Sequence, residues 1–406
     1  MRRTHLWPAR ALRPERGAAG GRDGGHHAGG LRAVVSGDGR RLVRPVGAWL
    51  AGLVPAPGLA HAAAGPVPGG GQHAPGAGRA DGGAVGPAGG GQPREGPRFD
   101  QAVPRNGYAW WYLDALSDDG RHGLTLIAFI GSVFSPYYAR ARRAPGGGDP
   151  YDHCAVNVAL YGPGGRWAMT ERGRAGVQAS AATLAIGPST LTWDGAALTV
   201  DLDEIAAPIP RRVRGRIRLH PSALTSHTYT LDGAGLHRWR PYAPCARVAV
   251  ELTHPALRWS GTAYFDANTG DAPLEDAFSA WDWSRAHLHG GTETAVLYEA
   301  ARRDGDNTSL ALRFDAAGNV STFEPPPRMK LPATRWRVAR ATRSDTATPA
   351  YVDRTLEDTP FYARSVLATG LLGEEVTAVH ESLSLDRFRS GWVQALLPFR
   401  MPRRRR

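Results

Sequence analysis

Tyr264 and Asp266 stand two residues apart in GTAYFDANTGD (261–271), which reads as a strand running into a turn at Asn268–Gly270. Side chains alternate along a strand, so the phenol and the carboxyl point one way and Phe265 points the other. Such a face is either the solvated side of a sheet or the chemical end of a pocket. In water an aspartic acid with a pKa of about 3.9 is a carboxylate, but burial in an apolar pocket can keep it protonated as a general acid. His237 and Trp239, in GLHRWRP (235–241), repeat the spacing of two. On its own this histidine reads as an ordinary loop-edge residue. His287 and His289 in HLH offer two metal ligands on one strand face, but no third has recognisable spacing, so no metal is expected. Asp114, Glu171 and Glu275 each have a plain ion-pair or turn reading. GPGG (162–165) is a turn, because no strand–loop–helix context surrounds it.

The elements that must position these groups are strands. From residue 99 onward, short apolar or alternating runs such as LTLIAFI, CAVNVALYG, RVRGRIRLH, RVAVEL and EEVTAVHESLSL are separated by Gly, Pro and Asp turns. No stretch shows a long amphipathic helix. Regularly spaced strands with tight turns argue for a sandwich or barrel. Two segments also align. YAWWYLDALSDDG (108–120) and SAWDWSRAHLHGG (279–291) match at a spacing of 171, with Trp110 on Trp281, Tyr112 on Trp283, Ala115 on Ala286 and Gly120 on Gly291. A half-chain repeat of this kind suggests two tandem β-barrels with a seam near residue 240. A barrel of eight strands is wide enough to enclose one slender ligand.

Composition bounds the partners. The 406-residue chain carries a formal charge of +12. Residues 1–98 hold thirteen Arg against five acidic residues, and Arg403–Arg406 supply the remaining excess. The part between them is neutral, which argues against a nucleic-acid groove. Residues 1–98 also hold 25 of 51 Gly, no Tyr or Phe, and two of twelve Trp. That composition cannot bury enough apolar surface to order itself, so the segment reads as disordered, or as an over-extended translation start. Within it, VGAWLAGLVPAPGLAHAAAG (46–65) is a poor signal peptide, interrupted by Pro55 and Pro57. No apolar run reaches the roughly 20 residues that span a bilayer. Cys154 and Cys245 form no metal clip and read as small buried side chains.

Long blocks then carry a resemblance. GYAWWYLDALSDDGRHGLTLIAFIGSVFSPYYARARR (107–143), YDHCAVNVALYG (151–162), RWAMTERG (166–173), HRWRPYAPCARVAVEL (237–252), WSGTAYFDANTGDAPLEDAFSAWDWSRAH (259–287) and FRSGWVQALLPFRMPR (388–403) resemble the carotenoid 1,2-hydratases, also called hydroxyneurosporene synthases. The resemblance covers residues 99–403 and none of the first 98. It implies an all-β fold of two tandem lipocalin-like antiparallel β-barrels, similar to tocopherol cyclase. The expected division is a disordered segment 1–98, barrels at 99–240 and 241–402, and a basic tail 403–406.

The resemblance also implies an activity: addition of water to the terminal 1,2 double bond of acyclic carotenoids such as neurosporene and lycopene, with no cofactor or metal. The family's implicated residues fall on His237, Trp239, Tyr264 and Asp266. That chemistry needs a protonated acid, something to stabilise a tertiary cation, and a route for water. Asp266 fits the acid. Trp239 is the first choice to hold the cation and contact substrate, and Tyr264 the second. His237 is left to orient water, accept its proton or reload Asp266. A non-enzymatic carotenoid or lipid carrier and an isoprenoid cyclase are the competing functions. The partners expected are the carotenoid, water and, peripherally, lipid of an intracellular cytoplasmic or photosynthetic membrane, with Arg403–Arg406 as one contact. The sequence does not set the oligomeric state.

Overall fold

A computed structural model describes residues 95–404. The segment expected to be disordered lies outside the described residues up to position 94, as do Arg405 and Arg406. Within residues 95–98, Pro97 is buried, and Gly96 lies so close to the Trp193 indole that a Cβ would overlap it.

Most of the regular structure of the described chain is strand, with one eight-residue helix at Pro136–Arg143. Four strands open it, β1 (Tyr108–Ser117), β2 (Gly123–Ile130), β3 (Cys154–Tyr161) and β4 (Arg166–Arg172). Five more follow, β5 (Val177–Ala179), β6 (Thr183–Ile186), β7 (Ser189–Trp193), β8 (Leu198–Ile205) and β9 (Arg212–Pro221). After the two-residue β10 (Tyr229–Thr230) come the long β11 (His237–His254) and β12 (Ala256–Gly270). These strands form one antiparallel sheet, ordered β4-β3-β2-β1-β12-β11-β9-β8-β7-β6-β5 with β10 beside β11. The sheet rolls until β4 lies against β8, where the Ala207 amide donates to the Trp167 carbonyl.

A second sheet holds β13 (Phe278–Leu288), β14 (Glu293–Arg302), β15 (Asn307–Asp315) and β16 (Val320–Thr322). A hairpin of β17 (Arg328–Leu331) and β18 (Arg340–Arg343) packs across it. Its remaining strands are β19 (Tyr351–Asp358), β20 (Tyr362–Leu371) and β21 (Glu374–Ser384), and its order is β16-β15-β14-β13-β21-β20-β19. This matches β4-β3-β2-β1-β12-β11-β9 strand for strand, so the tandem repeat extends to topology. The expected seam near 240 falls inside β11, which pairs with both β12 and β9. The chain leaves the first sheet at 271–277 instead, because the first repeat carries the additional strands β5–β8 and β10.

The two sheets face each other across β1 and β13. Ala109, Trp111, Leu113 and Ala115 of β1 point into the rolled first sheet, where they meet Leu126, Val158, Val200 and Phe265. Tyr108, Trp110 and Tyr112 point out of it and join Trp281, Trp283 and Tyr298 of the second sheet. A strand buried on both faces needs apolar residues at consecutive positions, which is what YAWWYL supplies. The matched residues touch their own counterparts: Trp110 and Trp281 have ring centroids 6.2 Å apart, and Tyr112 and Trp283 5.6 Å. Asp114 and Arg285, also 171 apart, form a 2.8 Å ion pair. Counterparts meet along a whole strand only where the duplicated strands run side by side in the same direction. Strand β9, by contrast, alternates exposed Arg with buried Val, Ile and Leu, as a strand with one wet face should.

The C-terminal residues close one end of the inter-sheet space with two short helices, α1 (Leu385–Arg389) and α2 (Gly391–Leu396). Beyond them β22 (Arg403–Arg404) pairs with β4. Arg403 is therefore not a free tail residue: its guanidinium meets Glu171 at 2.7 Å. Among the described residues no helix is long and apolar enough to cross a membrane.

Candidate active site

Asp266 sits mid-strand in β12, between Tyr112 of β1 and Pro241 of β11. Pro241 has no amide hydrogen to give the ladder, and the register of β11 slips just beyond it. The Asp266 carboxyl points away from the filled interior of the first sheet and toward the second, which covers it to 4% exposure. The Trp239 indole N–H donates to Asp266 Oδ2 at 2.7 Å, and the Tyr264 hydroxyl donates to the same oxygen at 2.8 Å. Oδ1 has no partner among the described residues. Burial pushes the Asp266 carboxyl up to about 8, against the two donors, which pull it down; the Glu381 and Asp114 charges add to the rise. With Oδ2 accepting twice, the proton belongs on Oδ1.

Trp239 and Tyr264, expected to hold the cation and contact substrate, instead meet Asp266 through these hydrogen bonds. Trp239 is packed between Tyr229 and Tyr298, at 5.3 and 5.1 Å between ring centroids. His237 stands elsewhere. It lies opposite Gly270, four residues along β12 from Asp266, or about 13 Å at the rise of a strand. Its Nδ1 meets the Tyr108 hydroxyl at 2.9 Å and its amide donates to Asp232, so these described contacts lie away from Asp266. Gly270 makes the room: a Cβ there would strike the Tyr108 ring and His237 Nδ1. Burial lowers the His237 pKa and keeps the imidazole neutral at pH 7.

Asp266 opens into a cavity of about 1300 Å³, counting its mouth. The cavity lies between the sheets rather than inside a barrel, because Trp111, Leu113 and Phe265 already fill the first sheet. Its walls near Asp266 are Trp110, Tyr112 and Asn268 from the first sheet and Trp281, Trp283 and Tyr298 from the second. Trp239, Tyr264 and His237 lie behind this wall. Partly exposed Trp336, Leu396 and Arg400 mark the mouth. Aromatic faces around one neutral carboxyl suit a reaction that passes through a carbocation.

A second carboxyl, Glu381 of β21, lines the same cavity. It accepts from the Tyr112 hydroxyl at 2.7 Å and pairs with the Arg364 guanidinium. Arg364 also donates to Tyr112 at 2.6 Å and to Asp114 at 2.7 Å. Sequence reasoning missed Glu381 and Arg364, and gave the wall residues Tyr112, Trp281 and Trp283 a place in the repeat but no role at the site. Asp114, Glu171 and Glu275 all sit in ion pairs. His287 meets Thr294 and His289 meets Glu374. Cys154 and Cys245 are buried free thiols.

Residues 126–406 match the family model described as the carotenoid hydratase CrtC. The acyclic carotenoid 1,2-hydratase of Thiocapsa roseopersicina is 57% identical over 380 residues, 93% of either chain. That of Rubrivivax gelatinosus is 56% identical over 385 residues, again 93% of each. That of Cereibacter sphaeroides is 44% identical over 280 residues, 69% of this chain and 98% of its own. The two longer matches reach well into residues 1–98, where the sequence reading found no resemblance. The chain belongs to the carotenoid hydratase CrtC family.

Proposed function

We propose that this chain is an acyclic carotenoid 1,2-hydratase, a hydro-lyase acting on carotenoids such as neurosporene and lycopene, with Asp266 as the acid. The supporting observation is the Asp266 carboxyl itself: buried, without a cation, held through Oδ2, and facing an aromatic cavity with Oδ1. Oδ1–H delivers its proton to C2, the less substituted alkene carbon, and the positive charge forms at C1. The indoles of Trp281 and Trp283 and the ring of Tyr112 flank that space, and a desolvated aromatic face is worth about 2 kcal/mol to a cation. Water then attacks C1. Trp239 and Tyr264 act as positioning residues, holding the carboxyl so that its proton faces the cavity. A terminal double bond requires only the end of the polyene to enter.

Incubation with lycopene or neurosporene, followed by mass analysis, tests this. One water gained per reacted end is expected. An isomer of unchanged mass would indicate a cyclase, and binding without reaction a carrier. Activity should fall as pH rises through about 8, where Asp266 loses its proton. The Trp239 N–H stabilises the carboxylate, so Trp239→Phe should move this alkaline limb upward by about one unit. An unmoved limb would detach Trp239 from the acid.

A lipid-dissolved substrate has to be collected at a bilayer surface. Trp392, 47% exposed and stacked on Trp336 of the cavity mouth, and Phe399, 75% exposed and next to Arg400 of the mouth, form the contact, in place of Arg403. Replacing both by Ser should weaken vesicle flotation by about tenfold or more. Unchanged flotation would remove this rim from the account.

A further inference from the structure

The duplication bears on a step that Asp266 alone leaves open: which group takes the proton of the attacking water. In the first repeat Asp266 stands opposite Tyr112, across β12 and β1. In the second, Glu381 stands opposite Trp283, across β21 and β13. Tyr112 and Trp283 are counterparts at the 171 spacing, and β12 and β21 hold the same place in the two sheets. Asp266 and Glu381 are therefore the same position of the repeat, and both line the one cavity between the sheets.

Their other neighbours differ. Across β11, Asp266 faces Pro241, which carries no charge. Across β20, Glu381 faces Arg364, a fully buried guanidinium that contacts it directly. Two equivalent, buried carboxyls thus differ in their partners: Arg364 draws Glu381 toward the carboxylate against the burial, and no cation does the same for Asp266. Carboxyls held apart in this way divide into acid and base.

We propose that Glu381 is the general base of the hydration, accepting the proton of the attacking water directly or through the Tyr112 hydroxyl. This rests on the assignment of Asp266 as the acid. The Asp266 Oδ1–H bond breaks and a C–H bond forms at C2, leaving the charge on C1. The water oxygen bonds to C1 as one of its O–H bonds breaks. That proton passes to Glu381, or to Tyr112 while the tyrosine hands its own hydroxyl proton to Oε1, with which it already shares a 2.7 Å hydrogen bond. Return of the proton from Glu381 to Asp266 through water restores both groups, and the net change is one water added.

The charged and titratable groups around Glu381 are Arg364 and Tyr362 of β20, Tyr112 and Asp114 of β1, Asp266 of β12 and Tyr298 of β14, with Glu357 and Asp358 of β19 on the same cavity wall and Tyr161 of β3 against Arg364. Burial raises the Glu381 carboxyl above its ordinary value, while Arg364 and the Tyr112 hydroxyl draw it back. The rate should thus be bell-shaped in pH, rising as Glu381 ionises and falling as Asp266 does.

The test uses the full chain, lycopene and deuterated water. A cation that is not captured by water reverts by losing a proton, which leaves deuterium in the recovered carotenoid. Glu381→Gln should lower alcohol formation by about a hundredfold or more, flatten the acidic limb, and leave deuterium uptake running. Tyr112→Phe, which keeps the Glu381–Arg364 pair and so guards against misfolding, should shift the balance from alcohol to exchange by about tenfold. Alcohol formation by Glu381→Gln within threefold of the parent, with the acidic limb intact, would overturn the base assignment. An unchanged balance in Tyr112→Phe would overturn the relay through the tyrosine and require direct transfer to Glu381. Asp266→Asn should stop exchange and alcohol together; if it stops neither, the acid assignment fails separately.

Discussion

Asp266→Asn is expected to lower carotenoid hydration by about a thousandfold while leaving carotenoid binding intact. Asn keeps the size of the side chain and can still accept from Trp239 and Tyr264 through its carbonyl, so the wall of the cavity is preserved. What disappears is the proton on Oδ1. The same substitution carries a stability signature. The folded carboxyl titrates near 8 and an unfolded one near its ordinary value of about 3.9. Between those values the folded chain holds a proton that the unfolded chain has released, so stability falls as pH rises through that window. It is fully present below about 4 and lost by the time pH passes about 8. Asn does not titrate. The variant should therefore match the parent near pH 4 and exceed it near pH 8, by an amount on the order of a few kcal/mol. Urea denaturation at the two pH values reads the difference. A variant that turns over normally would move the acid elsewhere.

Much of this site was legible in the sequence, for reasons that can be named. Strand alternation alone put Tyr264 and Asp266 on one face, and the 171 spacing picked out Trp110, Tyr112, Trp281 and Trp283. Alternation does not say what covers a face. A carboxyl on the outward side of EEVTAVHESLSL looks solvated until a second sheet lies over it, which is why Glu381 and its partner Arg364 stayed invisible. The position of the cavity was misplaced for a related reason. Lipocalin-like barrels suggest an interior pocket, yet YAWWYL is apolar on both faces, and that pattern already called for a second packed layer outside the first sheet. His237 shows the limit of motif spacing. Two positions from Trp239 in sequence, it ends on Tyr108 and Asp232, because each step of two along β11 carries a side chain about 7 Å further from Asp266.

Asp114→Ala is expected to be the most destabilising substitution at the junction of the sheets. Asp114 is fully buried on β1 and receives Arg285 at 2.8 Å on one oxygen and Arg364 at 2.7 Å on the other, both from the second sheet. Removing it strands the Arg285 guanidinium in a dry interface and leaves Arg364 with Glu381 as its remaining counterion. Breaking a buried ion pair from one side costs about 3–5 kcal/mol, against a net stability of about 5–15 kcal/mol for a folded protein. Arg285→Ala should cost less, since Arg364 remains to neutralise Asp114. The two variants therefore separate the loss of a shared counterion from the loss of one contact, and the ordering is read from denaturation midpoints at neutral pH. Midpoints unchanged from the parent in both variants would mean that the aromatic contacts, rather than this pair, hold the sheets together. The consequence for chemistry follows from geometry: Arg364 bridges Asp114 and Glu381, so the carboxylate that anchors the two sheets also fixes the cation beside the second carboxyl of the cavity.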